Sequence, residues 1–84
     1  MHEGGICAEL INIVSKAAKA NGIEKVYEIV MVVGPYSGIH EGQLNFYFDI
    51  ARKGTCMEEA VIVMERDMNL TGASQMYIRT FRGE

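Results

Sequence analysis

The sequence contains no tryptophan, one proline and two cysteines among its 84 residues. Two cysteines can form neither a disulfide framework nor a four-cysteine zinc site. Without an export signal, both are expected to remain reduced thiols. One proline together with 49% hydrophobic residues is typical of a folded domain and excludes a disordered chain.

Long apolar runs and basic clusters are also missing. No stretch approaches the roughly 20 apolar residues that cross a bilayer, and the start Met1-His2-Glu3 does not have the basic character of a signal peptide. Eight basic and eleven acidic residues give a net charge of −3, whereas phosphate contacts need a clustered basic face. We therefore expect a cytoplasmic protein that binds neither membranes nor nucleic acids.

Patterns of catalysis and nucleotide binding are absent as well. Gly34, Gly38 and Gly42 are spaced by four, which matches neither nucleotide-binding fingerprint. Cys7 lies in an amphipathic segment and is expected to be a small core residue, and Cys56 lies in a loop. A thiol nucleophile needs a histidine beside it that a third group orients, and neither His2 nor His40 has an obvious orienting partner. No acid–base or nucleophile constellation supports an enzyme.

Hydrophobic periodicity predicts five elements within one domain that covers residues 1–84. Apolar residues recurring at spacings of three and four predict helices at residues 5–21 and 41–53. Apolar, β-branched or alternating runs bounded by turn residues predict strands at residues 25–33, 59–67 and 75–82.

The order helix, strand, helix, strand, strand predicts an α+β fold. Because each helix has one apolar face, we expect a two-layer sandwich with both helices on one face of a small three-stranded mixed sheet. The helix between the first two strands predicts a helical crossover, which should be right-handed if those strands lie parallel. The short segment near 68–74 predicts an antiparallel hairpin of the last two strands.

A sheet covered on one side leaves its other face and its edges open. Val30, Val32, Tyr77 and Phe81 are the candidates for apolar surface that so small a domain leaves uncovered on that open face. We expect a homodimer or a stable partner to cover this apolar surface.

The N-terminus has the donor groups of a metal site. A free α-amine, the amide nitrogen of residue 2 and the imidazole of His2 can close adjoining chelate rings around one ion. Planar, nitrogen-rich donor sets suit Ni²⁺ or Cu²⁺. Taken alone, the pattern is better explained by a solvated histidine, and the same holds for His40 ahead of the second helix.

Several short patterns follow the N-terminal triplet in a fixed order over roughly residues 1–66. They are Leu10 and Ile13 in the first helix, Val26, Gly34-x-x-Ser37-Gly38-Ile39, Leu44-x-Phe46-x-Phe48, Gly54-Thr55 and Glu59-Ala60. With this ordered set, the sequence resembles the HypA/HybF family of hydrogenase nickel-incorporation proteins. Residues 75–82 resemble the closing strand of that family.

The resemblance implies an accessory protein that delivers nickel during the maturation of a nickel enzyme such as [NiFe]-hydrogenase, together with a GTPase partner. It implies three metal ligands: Met1 through its amine, His2 through its amide and imidazole, and Glu3 through its amide or carboxylate. Family members carry a zinc module with two CxxC pairs between the second and third strands. Here residues 68–74 occupy that place and the chain has no CxxC pair, so we expect no structural zinc.

Two hypotheses from different functional classes remain open. The intact N-terminal triplet favours a metallochaperone-like nickel-binding protein, with the GTPase or the target enzyme as its partner. The missing zinc module favours a protein–protein interaction or assembly module that has kept the fold and lost metal delivery. We place nickel binding ahead of the second hypothesis.

Overall fold

A computed structural model describes residues 3–73 and 75–84 of the chain. The elements follow in the predicted order and begin and end within two residues of the predicted bounds: α1 (Glu3–Ala20), β1 (Val26–Val33), α2 (Glu41–Ala51), β2 (Val61–Arg66) and β3 (Met76–Gly83). They form the expected α+β fold with two helices and a three-stranded mixed sheet. In the described part of the chain, neither helix has the length and apolar character needed to cross a bilayer.

Helix α1 is amphipathic, and its charges suit the helix dipole. Glu3 lies in the first turn and Lys19 in the last turn. A negative charge stabilises the N-terminal end of a helix and a positive charge stabilises its C-terminal end. Gly22, with φ of 68°, allows the left-handed turn that follows the helix. The helix faces the core with Ile6, Cys7, Leu10, Val14 and Ala18.

The central strand of the sheet is β1, and the strand order is β2-β1-β3. β1 runs parallel to β2, which confirms the crossover through α2, and antiparallel to β3. The predicted hairpin of β2 and β3 is wrong, because these strands lie on opposite sides of β1. The second half of β1 is apolar on both faces, and a strand of this kind is best covered at the centre of a sheet.

A β-bulge in β3 changes which side chains face the helices. Ile78 and Thr80 oppose consecutive residues of β1, so Arg79 is the additional residue of the bulge. The alternation of the strand therefore shifts by one position. As a result, Phe81 packs against the core together with Met76 and Ile78, and the prediction that Phe81 lies on the open face is wrong.

The core lies between the helices and the sheet. Among the described residues, no polar or charged residue is classed as buried. Full burial of one large apolar side chain stabilises a fold by roughly 1.5–3 kcal/mol. The largest fully buried side chains are Phe48, Leu10, Ile29, Leu44, Met57 and Ile62.

The open face of the sheet is covered in part by a charged pair. Val30 and Val32 were expected to be uncovered, but they are only 5% and 4% exposed. Glu65 of β2 and Arg79 of β3 form an ion pair at 3.0 Å. Since β1 separates these two strands, the pair crosses over the central strand. Tyr77 stays exposed, so the expected apolar face is smaller than the sequence indicated.

Candidate metal centre

Of the three predicted metal ligands, Glu3 lies at the start of α1. Met1 and His2 fall outside the described residues, and Glu3 is the first residue of the helix. Glu3 is half-buried, and it is followed by a helix that packs on the core from Ile6 onward. Of the three predicted ligands, the structure therefore describes the position of Glu3.

The thiol of Cys7 lies one turn beyond Glu3. It is fully buried, and its Sγ donates a hydrogen bond to the carbonyl oxygen of Leu44 over 3.6 Å. Burial, and then the negative charge of Glu3, raise the pKa of the Cys7 thiol above its ordinary value of 9.0. A buried, protonated thiol is an unsuitable nucleophile or metal ligand. Cys7 instead connects α1 to α2 within the core, as the sequence predicted.

His40 and Cys56 also carry side chains of a type that can bind metal, and neither belongs to a cluster of such groups among the described residues. His40 is the N-cap residue of α2, is exposed and makes no side-chain capping bond. Cys56 is a half-buried free cysteine in the loop before β2. Within residues 3–73 and 75–84, no three His, Cys, Asp or Glu side chains come together in a way that would hold a metal ion. The described residues thus offer no competing metal site.

Most of the residues that carry the family resemblance build the scaffold. Gly38, with φ of 68°, makes a left-handed turn before α2, and the buried Ile39 donates its N–H to the Ser37 hydroxyl over 3.3 Å. Leu44 and Phe48 are the two buried residues of α2. These residues shape the fold that supports the start of α1, and they carry no chemistry of their own.

Phe46 is an exception in this set, as is Ile13 of α1. Phe46 is 62% exposed, and its ring stands edge-on to that of Tyr47 with the centroids 5.6 Å apart. Ile50, one turn further along α2, is exposed as well. An outward apolar group on a helix is a feature of surfaces that contact other proteins.

Two polar residues of α2 bind the outer edge of β2, and the sequence analysis missed both. The Asn45 side chain accepts the N–H of Ile62 over 3.0 Å and donates to the carbonyl of the same residue over 2.8 Å. The Glu41 carboxylate accepts the N–H of Met64 over 2.7 Å. Their spacing of four residues places them on one side of the helix. That spacing is visible in the sequence, but only the sheet order shows what the two side chains bind.

Comparison with known proteins places this arrangement in a family. Residues 1–75 match the model of a family described as "Hydrogenase/urease nickel incorporation, metallochaperone, hypA". The chain belongs to the HypA family. The resemblance seen in the sequence is therefore confirmed, and the family description names metal incorporation and not catalysis, in agreement with the expected non-enzymatic role.

Curated relatives are identical to the chain at about a third of the aligned positions. The hydrogenase maturation factor HypA of Xanthobacter autotrophicus is 34% identical over 68 residues, which are 80% of this chain and 60% of that protein. The protein of the same name from Francisella philomiragia is 37% identical over 60 residues, 71% of this chain and 53% of that protein. The chain thus spans less than two thirds of the length of these relatives.

Solved structures confirm the fold. The solution structure of the Ni metallochaperone HypA from Helicobacter pylori superposes with a TM-score of 0.81 at 15% sequence identity, covering 99% of this chain and 97% of that one. A second solution structure of a HypA protein superposes with a TM-score of 0.77 at 16% identity. The HypA architecture is therefore present in this chain.

Proposed function

We propose that this HypA-family chain binds one nickel ion at Met1, His2 and Glu3 and supplies it for the maturation of a nickel enzyme such as [NiFe]-hydrogenase. The observation that carries the proposal is the family match, which begins at Met1 and so includes the whole triplet. The names of the relatives, hydrogenase maturation factors, support the same role.

The chemistry of the donor set fits nickel. The amine of Met1, together with the amide and imidazole of His2, would supply a nitrogen-rich plane, which Ni²⁺ accepts readily. Glu3 would add its amide or its carboxylate from the first turn of α1. The described part of α1 supports this arrangement, because Ile6 and Cys7 anchor the helix in the core directly behind Glu3.

A maturation protein, either a GTPase or the target nickel enzyme, is the partner that we propose. The exposed group of Phe46, Tyr47 and Ile50 on α2 favours protein contact. The same group supports the second candidate function, an interaction or assembly module without metal delivery. The two functions differ in one measurable property, which is nickel binding at the N-terminus.

Nickel titration of the untagged protein tests the proposal. Calorimetry should detect one Ni²⁺ per chain, and His2→Ala should abolish this binding because it removes the imidazole. One residue added ahead of Met1 should weaken binding strongly, since the α-amine becomes an amide. His40→Ala, which changes an exposed residue at the start of α2, should bind nickel like the wild type.

The affinity for nickel should decrease as the pH is lowered. An α-amino group has an ordinary pKa of about 7.7–8.0 and imidazole one of about 6.5. Because both must lose a proton before they bind metal, nickel affinity should fall steeply from about pH 8 to pH 6. Equal binding by all variants, or no binding by the wild type, would refute nickel delivery and favour the assembly module.

A further inference from the structure

The two edges of the sheet differ in how they are covered. Asn45 and Glu41 hydrogen-bond to the outer backbone groups of Ile62 and Met64, so the edge of β2 is closed to another strand. In the part of the chain that the structure describes, no side chain makes an equivalent bond to the backbone of β3, an eight-residue edge strand. Long uncovered edge strands pair readily with another strand.

A groove of about 460 Å³ runs between α1 and β3. Ile13 and Tyr77 on its two sides are 49% and 47% exposed, which are high values for side chains of this size. Its apolar lining comes from Ile6, Leu10, Ile13, Met31, Met76 and Ile78. An added strand beside β3 would therefore meet an apolar surface on the helix side of the sheet.

The charges along α1 favour a second copy of the same chain as the occupant. Glu9, Ile13 and Lys16 are spaced by four and three residues and lie along one side of the helix. Glu9 and Ile13 line the groove, and Lys16 is exposed. When two such helices face each other in antiparallel orientation, Glu9 of each copy lies opposite Lys16 of the other, with the two Ile13 side chains between them.

A single two-fold axis can bring β3 against its copy and α1 against its copy at the same time. Ile13, at the centre of the charged stripe, and Ile78, the third residue of β3, line the same groove. An axis at this level pairs β3 with its copy in antiparallel orientation and sets the two α1 helices side by side. Interfaces of this kind use the same patch on both subunits.

We infer that two copies of this chain associate through β3 to form a continuous six-stranded sheet, with the two α1 helices antiparallel across it. The contact is one strand and one helix wide, which places it at the small end of protein interfaces. The dimer should therefore have a dissociation constant in the micromolar range. The inference does not depend on nickel, and it is tested in metal-free buffer.

Sedimentation of charge-reversal variants tests the inference. The untagged wild type should shift from monomer to dimer between about 1 and 500 µM, the range of a micromolar dissociation constant. Glu9→Lys and Lys16→Glu should each weaken self-association by about 10–30-fold, because two attractive contacts become repulsive. An equimolar mixture of the two variants should dimerise again, since the charges are then complementary, and misfolded protein cannot produce this rescue.

Replacing one exposed isoleucine on each helix by aspartate locates the surface. Ile13→Asp should abolish the dimer, whereas Ile50→Asp, at an exposed isoleucine of α2, should leave it unchanged. A wild type that stays monomeric at the highest concentration would overturn the inference, even if β3 then binds an extended peptide from another protein. A dimer insensitive to Ile13→Asp, or a mixture of charge variants that stays monomeric, would overturn it as well.

Discussion

At Gly34 the connector after β1 packs closely against the connector before β3. Gly34 is buried, and a Cβ placed on it would lie 1.9 Å from the carbonyl oxygen of Leu70. Its own carbonyl accepts a hydrogen bond from Arg66 over 3.0 Å. Because the two nearest atoms belong to the Leu70 backbone, no side chain fits here unless one of the connectors moves.

Gly34→Ala should lower the free energy of unfolding by about 1–3 kcal/mol, the usual effect of overpacking. Gly42→Ala is the matched control, since a Cβ on Gly42 in α2 meets no atom within 4 Å. Alanine is the better helix former, so this variant should be unchanged or more stable by up to about 1 kcal/mol. Urea unfolding followed by circular dichroism measures both, and equal midpoints for the two variants would contradict the close packing at Gly34.

Helix α2 serves two parts of the fold at once. Leu44 and Phe48 cover the core from one side of the helix. From another side, Asn45 bonds both backbone groups of Ile62, as a neighbouring strand would. The helix thereby stabilises β2 in two ways and keeps other strands from pairing with it.

Asn45→Ala should destabilise the protein by about 1–3 kcal/mol, because two backbone groups at the edge of β2 lose their partners. Gln43→Ala, at an exposed position of the same helix, should change stability by less than about 0.5 kcal/mol. Light scattering should also detect more aggregation for Asn45→Ala than for Gln43→Ala, since the uncovered edge can pair with other chains. Indistinguishable behaviour of the two variants in both measurements would argue against this role of Asn45.

The molecule as a whole is held by one apolar core that both helices and the sheet share. Its buried members come from both helices, β1, β2 and the connectors, and Ile78 and Phe81 of β3 pack against it. Only the short segment 67–75 separates β2 from β3 in the sequence. An apolar core of this kind owes its stability to burial, which does not require a metal.

Removal of metal should therefore leave the fold intact. Thermal unfolding of the untagged protein should give the same midpoint, within about 1 °C, with and without excess EDTA, because a structural zinc would contribute folding energy directly. Added Ni²⁺ should raise the midpoint if it binds only the folded state. A fall of several degrees in EDTA would show that a metal ion stabilises the fold.

Local patterns in the sequence were enough to find the elements and much of their buried faces. The spacing of Leu10 and Val14 in α1, and of Leu44 and Phe48 in α2, predicted core residues that the structure confirms as buried, whereas Ile13, assigned to the same face of α1, is 49% exposed. Such periodicities depend only on helix and strand geometry, so a single segment contains the whole signal. The N-terminal triplet and the family were also visible in the sequence, whereas a metal site at that triplet stays a prediction.

The tertiary structure alone decided how the strands pair. The short segment before β3 indicated a hairpin with β2, but β1 lies between them, because its apolar second half is covered best at the centre of the sheet. The bulge at Arg79 directs the Phe81 side chain toward the core. The side chain of Arg79 forms an ion pair with Glu65 across the open face. These outcomes depend on contacts between residues that are distant in the sequence, and local periodicity contains no information about them.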